Sequence, residues 1–174
     1  MALWHILPVE VNYFEGEGKH YLLLAEKDAN TSLATIKRID LDNNFATVEV
    51  SNKASSCLFK NQSVENDFAH TFFVENNDSV YSLYAYNVLT NTKESYTTAA
   101  NNTVEVKFLA GNYVYITQNN GSRTKLFRTN VTGNHSFDES DSAHYDSSIN
   151  YFVSDEGTIL ARVNENKLEY LFCG

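Results

Sequence analysis

The stretch VYSLYAYNVLTNTKESYT, residues 80–97, decides the fold. Its side chains alternate as in a β-strand, the pattern breaks at the Thr-Asn-Thr of residues 90–92, and a second strand-like run follows. The break is short and polar, as β-turns are. The stretch therefore predicts a β-hairpin. If that hairpin recurs along the chain, the repeat sets the architecture.

Three other segments have the same strand-turn-strand form: LATIKRIDLDNNFATVEV at 33–50, TKLFRTNVTGNHSFDES at 124–140 and TILARVNENKLEYLF at 158–172. In all four segments the first strand ends in a residue whose side chain bonds backbone groups in turns, namely Asp40, Asn87, Asn130 and Asn164. The sequence therefore predicts four related hairpin units.

A short apolar run precedes each hairpin and opens with His or Asn, at His20, His70, Asn112 and Asn150. Unbroken apolar runs are typical of strands covered on both faces, whereas TVEVKF at 103–108 alternates and predicts a strand with one face in water. No helical periodicity extends over three turns. We therefore expect one all-β domain over residues 1–174.

The four units resemble the blades of β-propellers, in which a buried strand precedes a hairpin of this kind. The run starts are 50, 42 and 38 residues apart, within the range of blade repeats. The resemblance implies a small β-propeller made of an antiparallel array of four blade-like units. Because a propeller can close with a strand from the other end of the chain, VEVNYFE at 9–15 is predicted to pair with LEYLF at 168–172.

Two other all-β architectures fit the same strands. One is an antiparallel β-barrel of lipocalin size, and the other is a β-sandwich or jelly roll. Against the lipocalin-sized barrel, the only tryptophan is Trp4, so no Gly-x-Trp occurs near the start, and no helix is predicted at the end.

The charge balance disfavours two classes of partner. The net charge is −9, and the 13 Lys and Arg residues are scattered along the chain. Without a basic stripe to neutralise phosphates or anionic lipid, we expect neither nucleic acid nor a membrane surface as partner. The first residues lack a basic region, and Pro8 and Glu10 interrupt their apolar stretch. They therefore predict neither a signal peptide nor a membrane span.

Asn-x-Ser/Thr sequons favour an extracellular protein whose leader has been removed, with a cytoplasmic protein as the alternative. Chance predicts about 3.5 sequons for 21 Asn and 29 Ser plus Thr in 174 residues, and seven are present. They are Asn30, Asn61, Asn77, Asn101, Asn120, Asn130 and Asn134.

The two cysteines, Cys57 and Cys173, have no metal-binding or redox-motif spacing. In a secreted chain we expect them to form a disulfide, which would stabilise the fold by about 4 to 5 kcal/mol because the loop is long. Two unrelated buried thiols are the alternative, and a catalytic thiol fits least because no His neighbours either Cys in the sequence.

The densest cluster of candidate ligands lies at residues 134–148. His135, Asp138, Asp141 and His144 are the candidate metal ligands, because carboxylates suit Ca²⁺ and His with carboxylates suits a transition metal. The spacing matches neither an EF-hand nor His-Glu-x-x-His. A solvated acidic loop is the alternative interpretation.

Two further groups are candidate ligand-binding residues. His20 and His70 open apolar runs, so they either face a ligand near a central axis or satisfy backbone groups at the strand ends. Tyr84, Tyr86, Tyr113 and Tyr115 either line an aromatic pocket or pack between strands.

The sequence contains no nucleophile elbow, phosphate-binding glycine loop or His/Cys pairing. We therefore expect no cofactor and a secreted, glycosylated, non-catalytic binding protein for a small apolar or aromatic molecule. Two alternatives remain open. One is a protein interaction module with an exposed β face, and the other is a hydrolase whose carboxylates meet only in the folded chain.

Overall fold

The structure is a computed structural model that describes residues 8–28, 30–59, 70–100, 102–131 and 142–172. Within these ranges the regular elements are fourteen β-strands, and no helix occurs. The predicted all-β class is therefore confirmed.

The strands form three antiparallel sheets. The first sheet has seven strands in chain order, β1 (Pro8–Gly16), β2 (Lys19–Lys27), β3 (Ala34–Asp40), β4 (Ala46–Leu58), β5 (His70–Asn77), β6 (Val80–Asn87) and β7 (Thr92–Ala100). The second sheet has the order β11-β10-β9-β8 and contains β8 (Thr103–Ala110), β9 (Tyr113–Asn119), β10 (Thr124–Asn130) and β11 (Ala143–His144). The third has the order β12-β13-β14 and contains β12 (Tyr151–Val153), β13 (Leu160–Asn164) and β14 (Lys167–Phe172).

Three of the four predicted hairpins are confirmed, as the pairs β3–β4, β6–β7 and β13–β14. In the segment 124–140, residues 124–130 form β10, and 132–140 lie outside the described residues. The predicted role of the Asx side chains is confirmed at two turns. Asp40 Oδ1 accepts the N–H of Asp42 at 3.1 Å, and Asn87 Oδ1 accepts that of Leu89 at 3.0 Å.

The seven-stranded sheet curls, because β4 changes partner along its length. Residues 46–54 of β4 pair with β3 and residues 54–58 pair with β5, with register irregularities on both sides. Such bulges bend a strand and increase its twist. The curl places the ends of β3 and β6 side by side, so that Arg38 Nε donates to the carbonyl of Val88 at 2.7 Å.

Three apolar cores lie between successive layers of sheet. The first core joins the inner faces of β1–β3 to β5–β6, through Phe14, Leu23, Ile36, Phe73 and Tyr86. The second joins β5–β7 to β8–β10, through Phe72, Leu83, Val104, Ile116 and Phe127. The third joins β9–β10 to the third sheet, through Tyr115, Leu126, Leu160 and Phe172.

Strands β5 and β9 are covered on both faces, as their apolar runs predict. Phe72 lies in the second core and Phe73 in the first. Likewise, Val114 lies in the second core and Tyr115 in the third. Strand β2 differs, because only alternate residues from Tyr21 to Ala25 are buried, and the residues between them are half-buried.

The predicted closure by the N-terminal strand is not confirmed. VEVNYFE lies in β1, which pairs with β2 and forms an edge of the first sheet, whereas LEYLF lies in β14, at an edge of the third. The tight turn at Glu17 and Gly18, with φ of +55° and +69°, explains the pairing. A two-residue turn with positive φ at both positions joins neighbouring strands at little loop-closure cost.

The predicted disulfide is also absent. Cys57 on β4 is a free thiol, and Cys173 lies outside the described residues. The Cys57 side chain packs against the first core, where burial and the neighbouring Glu10 raise its pKa to about 12. Its environment is therefore that of a half-buried structural thiol.

Candidate functional site

A polar cleft of about 560 Å³ lies at one end of the second sheet. Its floor consists of alternate residues of two paired strands, Glu105 and Thr103 on β8 opposite Thr117 and Asn119 on β9. Because side chains alternate across a strand, these residues share the face of β9 that carries Tyr115 into the third core. The cleft is therefore the part of this face where polar residues replace the core.

One rim of the cleft is the turn between β9 and β10, which asparagine side chains hold in shape. Asn119 Oδ1 accepts the N–H of Gly121 at 2.7 Å, and Asn120 Oδ1 accepts the N–H groups of Ser122 and Arg123, each at 3.1 Å. Gly121 has a φ of +88°, which suits glycine. The turn places Arg123 at the cleft, and its guanidinium has no ion-pair or hydrogen-bond partner among the described residues.

The opposite wall is the segment 144–147, which follows β11. The hydroxyl of Tyr151 accepts the N–H of Asp146 at 2.8 Å, and the rings of Tyr145 and Tyr151 stack at 4.9 Å. Arg162 Nη1 donates to the carbonyl of His144 at 3.1 Å. The third sheet therefore supports the backbone of this wall and leaves the His144 side chain exposed in the cleft.

The negative charges in the cleft are already engaged. Asp146 Oδ1 accepts both the hydroxyl of Ser148 at 2.7 Å and its N–H at 2.9 Å, and these hydrogen bonds lower the pKa of Asp146. Glu105 pairs with Lys107. Among the described lining residues, Arg123 remains as the cation without an acidic partner, whereas His144 lies close enough to Asp146 to help lower its pKa. A free guanidinium is suited to an anion.

The predicted ligand residue His20 lies elsewhere, at the β1–β2 turn. Its Nδ1 lies 3.0 Å from Asp42 Oδ1, and its Nε2 lies 3.8 Å from Glu15 Oε1. The hydrogen bond to Asp42 raises the pKa of His20. His20 therefore joins the β1–β2 and β3–β4 turns, and a ligand contact by His20 stays a prediction. His70 begins β5, and its side chain lies outside the described residues.

The four predicted tyrosines lie in two different cores. Tyr84 stacks on Phe73 at 5.7 Å, and the Tyr86 hydroxyl bonds Asn91 Oδ1 at 2.7 Å in the first core, where burial raises the Tyr86 pKa to about 12. Tyr113 and Tyr115 pack in the third core.

The Tyr115 hydroxyl donates to the carbonyl of Gly157 at 2.6 Å, and Arg128 lies 4.7 Å above the Tyr113 ring. These contacts are those of strand packing. A ligand contact by any of the four tyrosines stays a prediction.

Of the predicted metal ligands, only His144 is described, and His135, Asp138 and Asp141 lie outside the described residues. The described part of the chain contains no group of three or more His, Cys, Asp or Glu side chains that could hold a metal ion. Metal binding at 134–148 stays a prediction.

The described sequon residues lie at the surface. Asn30 and Asn120 are exposed, and Asn77 and Asn130 are half-buried. The other sequons, at Asn61, Asn101 and Asn134, lie outside the described residues. Asn120 already uses its side-chain oxygen to hold the cleft turn, and Asn77 Oδ1 accepts from Lys53 Nζ at 2.8 Å.

Sequence reasoning missed the cleft, although two signals of it are present. The alternation of TVEVKF puts Glu105 and Lys107 on one face, and Asn-Asn-Gly at 119–121 is a strong turn signal. Neither signal shows that the segment 144–147 meets these residues, because that contact depends on the pairing of β10 with β11.

Comparisons with known proteins identify the fold. No protein-family model matches the sequence, and no curated protein matches it. The β-propeller domain of the Trilobed protease from Pyrococcus furiosus, which has an open velcro topology, is similar in structure, with a TM-score of 0.51 at 11% identity over 95% of this chain. The acylaminoacyl peptidase of Pyrococcus horikoshii has a TM-score of 0.52 at 9% identity over 94% of this chain.

The fold is β-propeller-like. This chain spans 58% of the Trilobed protease chain and 33% of the acylaminoacyl peptidase chain. At these identities the likeness concerns the fold alone. None of the described residues forms a helix long and apolar enough to cross a membrane.

Proposed function

We propose that this chain is a non-catalytic binding module of β-propeller type that holds a small anionic molecule in the cleft of the second sheet. The observation that carries the proposal is the charge pattern of the cleft. Both of its carboxylates are engaged within the protein, whereas the guanidinium of Arg123 has no acidic partner among the described residues. A planar guanidinium can donate two parallel hydrogen bonds to a carboxylate or phosphate group.

The size and chemistry of the cleft support a small polar ligand. A volume of about 560 Å³ is within the range of small-molecule sites. The hydroxyl groups of Thr103, Thr117 and Thr124 add donors and acceptors around the bound molecule. The apolar or aromatic ligand expected from the sequence fits this lining less well, because polar side chains dominate it.

A module that binds without catalysis is proposed over a hydrolase. The two carboxylates of the cleft, Glu105 and Asp146, bond Lys107 and Ser148, and the lowered pKa of Asp146 makes it a weaker general base. The peptidase names among the similar structures belong to proteins that share only the fold. Secretion and glycosylation remain part of the proposal, supported by the sequon excess and by the exposure of Asn30 and Asn120.

The proposal includes four blade-like layers, supported by the three cores that separate them. The layers are β1–β4, β5–β7, β8–β11 and β12–β14, in chain order. The cleft then lies on the face of the third layer that the fourth leaves open.

Isothermal titration calorimetry with four probes tests the proposed function. Citrate and pyrophosphate are the anionic probes, glucose is the neutral polar probe, and indole is the aromatic probe. We expect binding of at least one anion and weaker binding of the other two probes, with anion affinity falling as salt is added. Binding of indole alone would support the sequence-based expectation and contradict the proposed cleft ligand.

The substitution Arg123→Gln locates the site. Loss of charge-assisted hydrogen bonds worth about 1.5–3 kcal/mol is expected to weaken anion binding by tenfold or more. Lys19→Gln is the matched control, because it removes one exposed positive charge at the start of β2, on the first sheet. Equal weakening by both substitutions would show that only the net charge matters.

A further inference from the structure

The outer face of the third sheet is apolar and exposed. In its register Phe152 lies opposite Ala161, Ala161 opposite Tyr170, and Val163 opposite Leu168, so the five side chains share one face. The exposed fraction is 56% for Phe152, 43% for Val163, 55% for Leu168 and 61% for Tyr170. The other face of this sheet, with Leu160 and Phe172, forms part of the third core.

The outer face of the first sheet is apolar along β1 and β2 and carries the Lys37–Glu26 ion pair beside Leu24. Val11 and Tyr13 on β1 are 54% and 43% exposed, and they lie opposite the half-buried Leu24 and Leu22 on β2. The opposite face of these strands, with Phe14 and Leu23, is buried in the first core. The chain therefore exposes an apolar sheet face at each end of its series of layers.

Each interface within the chain follows one pattern. At each interface, the open face of one layer is covered by a face of the next layer. The first interface joins β1–β3 to β5–β6, the second joins β5–β7 to β8–β10, and the third joins β9–β10 to the third sheet. The exposed face of the third sheet continues this series, so the occupant that fits it is the leading apolar face of another such layer.

We propose that the exposed face of the third sheet docks the exposed face of the first sheet of a second copy of this chain. The contact is head-to-tail, with Phe152, Leu168 and Tyr170 of one copy against Val11 and Tyr13 of the other. A second copy supplies a face of the required chemistry, and the contact continues the order of layers found within the chain. Such a heterologous contact leaves one free face at each end, so it forms dimers and longer species.

The size of the two faces sets the strength of the contact. Phe152 and Tyr170 together expose roughly 200 Å², since an aromatic side chain carries roughly 150–250 Å². This is well below the about 800 Å² per partner of a standard interface. Association is therefore expected to be weak and to depend on protein concentration.

Sedimentation velocity with two complementary double variants tests the proposal. Leu168→Lys with Tyr170→Lys charges the third-sheet face, and Val11→Lys with Tyr13→Lys charges the first-sheet face. Each variant alone is expected to bind itself at least about tenfold more weakly than the original protein, because an unpaired charge is costly to bury. An equal mixture is expected to form heterodimers, since each variant keeps the face that the other lacks.

The remaining outcomes all count against the proposal. A monomeric original protein at the highest concentration reached would overturn the proposal. Self-association of the Val11/Tyr13 variant would also overturn it, because the third-sheet face would then pair with itself. A mixture that stays monomeric also overturns the head-to-tail contact. Val80→Lys, at an exposed valine at the start of β6, is the control and is expected to leave association unchanged. If a double variant does not fold, the milder pair Leu168→Ser and Val11→Ser takes its place.

Discussion

The substitution Tyr115→Phe tests the contact between the second and third sheets. Tyr115 is fully buried, and its hydroxyl donates to the carbonyl of Gly157 at 2.6 Å. Phenylalanine keeps the ring and removes only the hydroxyl. The carbonyl of Gly157 is itself buried and then loses this donor. The substitution therefore isolates one interlayer hydrogen bond.

The expected loss of stability is about 2 kcal/mol. A buried polar group left without its partner costs about 1–3 kcal/mol. In a chain of 174 residues each kcal/mol lowers the Tm by about 2–4 °C, so we expect a decrease of about 4–8 °C. Arg128 loses a hydrogen-bond partner as well, although it still donates to the carbonyl of Thr158 at 2.8 Å.

Thermal and urea unfolding, followed by circular dichroism, measure this loss. Tyr13→Phe is the matched control, because the Tyr13 hydroxyl bonds Glu15 at 3.3 Å on an exposed surface. We expect the control to change the free energy of unfolding by less than about 0.5 kcal/mol. If Tyr115→Phe is as stable as the control, the phenol does not join the two sheets and the described packing of the third sheet is wrong.

Two further predictions concern a close backbone approach and a histidine. Gly157→Ala should destabilise the fold far more than Gly121→Ala. A Cβ at Gly157 would lie 1.9 Å from the carbonyl oxygen of Ala110, whereas Gly121 has open space at a similarly positive φ. Equal losses of unfolding free energy in urea would contradict this contact. Asp42→Asn should lower the pKa of His20 in an NMR titration, because the bond to Asp42 raises it. The raised pKa stabilises the fold at low pH, and this contribution disappears as the pH rises through the pKa of His20. The variant should therefore show a flatter dependence of the free energy of unfolding on pH in that range. An unchanged His20 titration would refute the pairing.

The local part of the fold could be predicted from the sequence. The Asx residues Asp40 and Asn87 mark real turns, and the run that begins at His70 predicts a strand buried on both faces. These features depend on neighbours within a few residues, where hydrogen bonding and side-chain alternation act directly. The likeness to propeller blades was therefore recognisable without a specific sequence motif.

The long-range pairings could not be predicted in the same way. The N-terminal strand β1 was predicted to pair with β14, whereas the short Glu17-Gly18 turn favours β2 as its partner. The tyrosine pattern alone does not show that Tyr86 and Tyr115 point into different cores. The cleft likewise depends on β11 reaching β10 across residues 132–141, and no local pattern reports that contact.

The most direct test of the proposed function is an NMR titration of the ¹⁵N-labelled protein with citrate and with pyrophosphate. We predict amide shift changes at residues 103–107, 117–124 and 144–147, which line the cleft, and loss of these changes in Arg123→Gln. The His20 region on the first sheet should not respond. Binding that shifts other residues, or no binding of either anion, would contradict an anion site in this cleft.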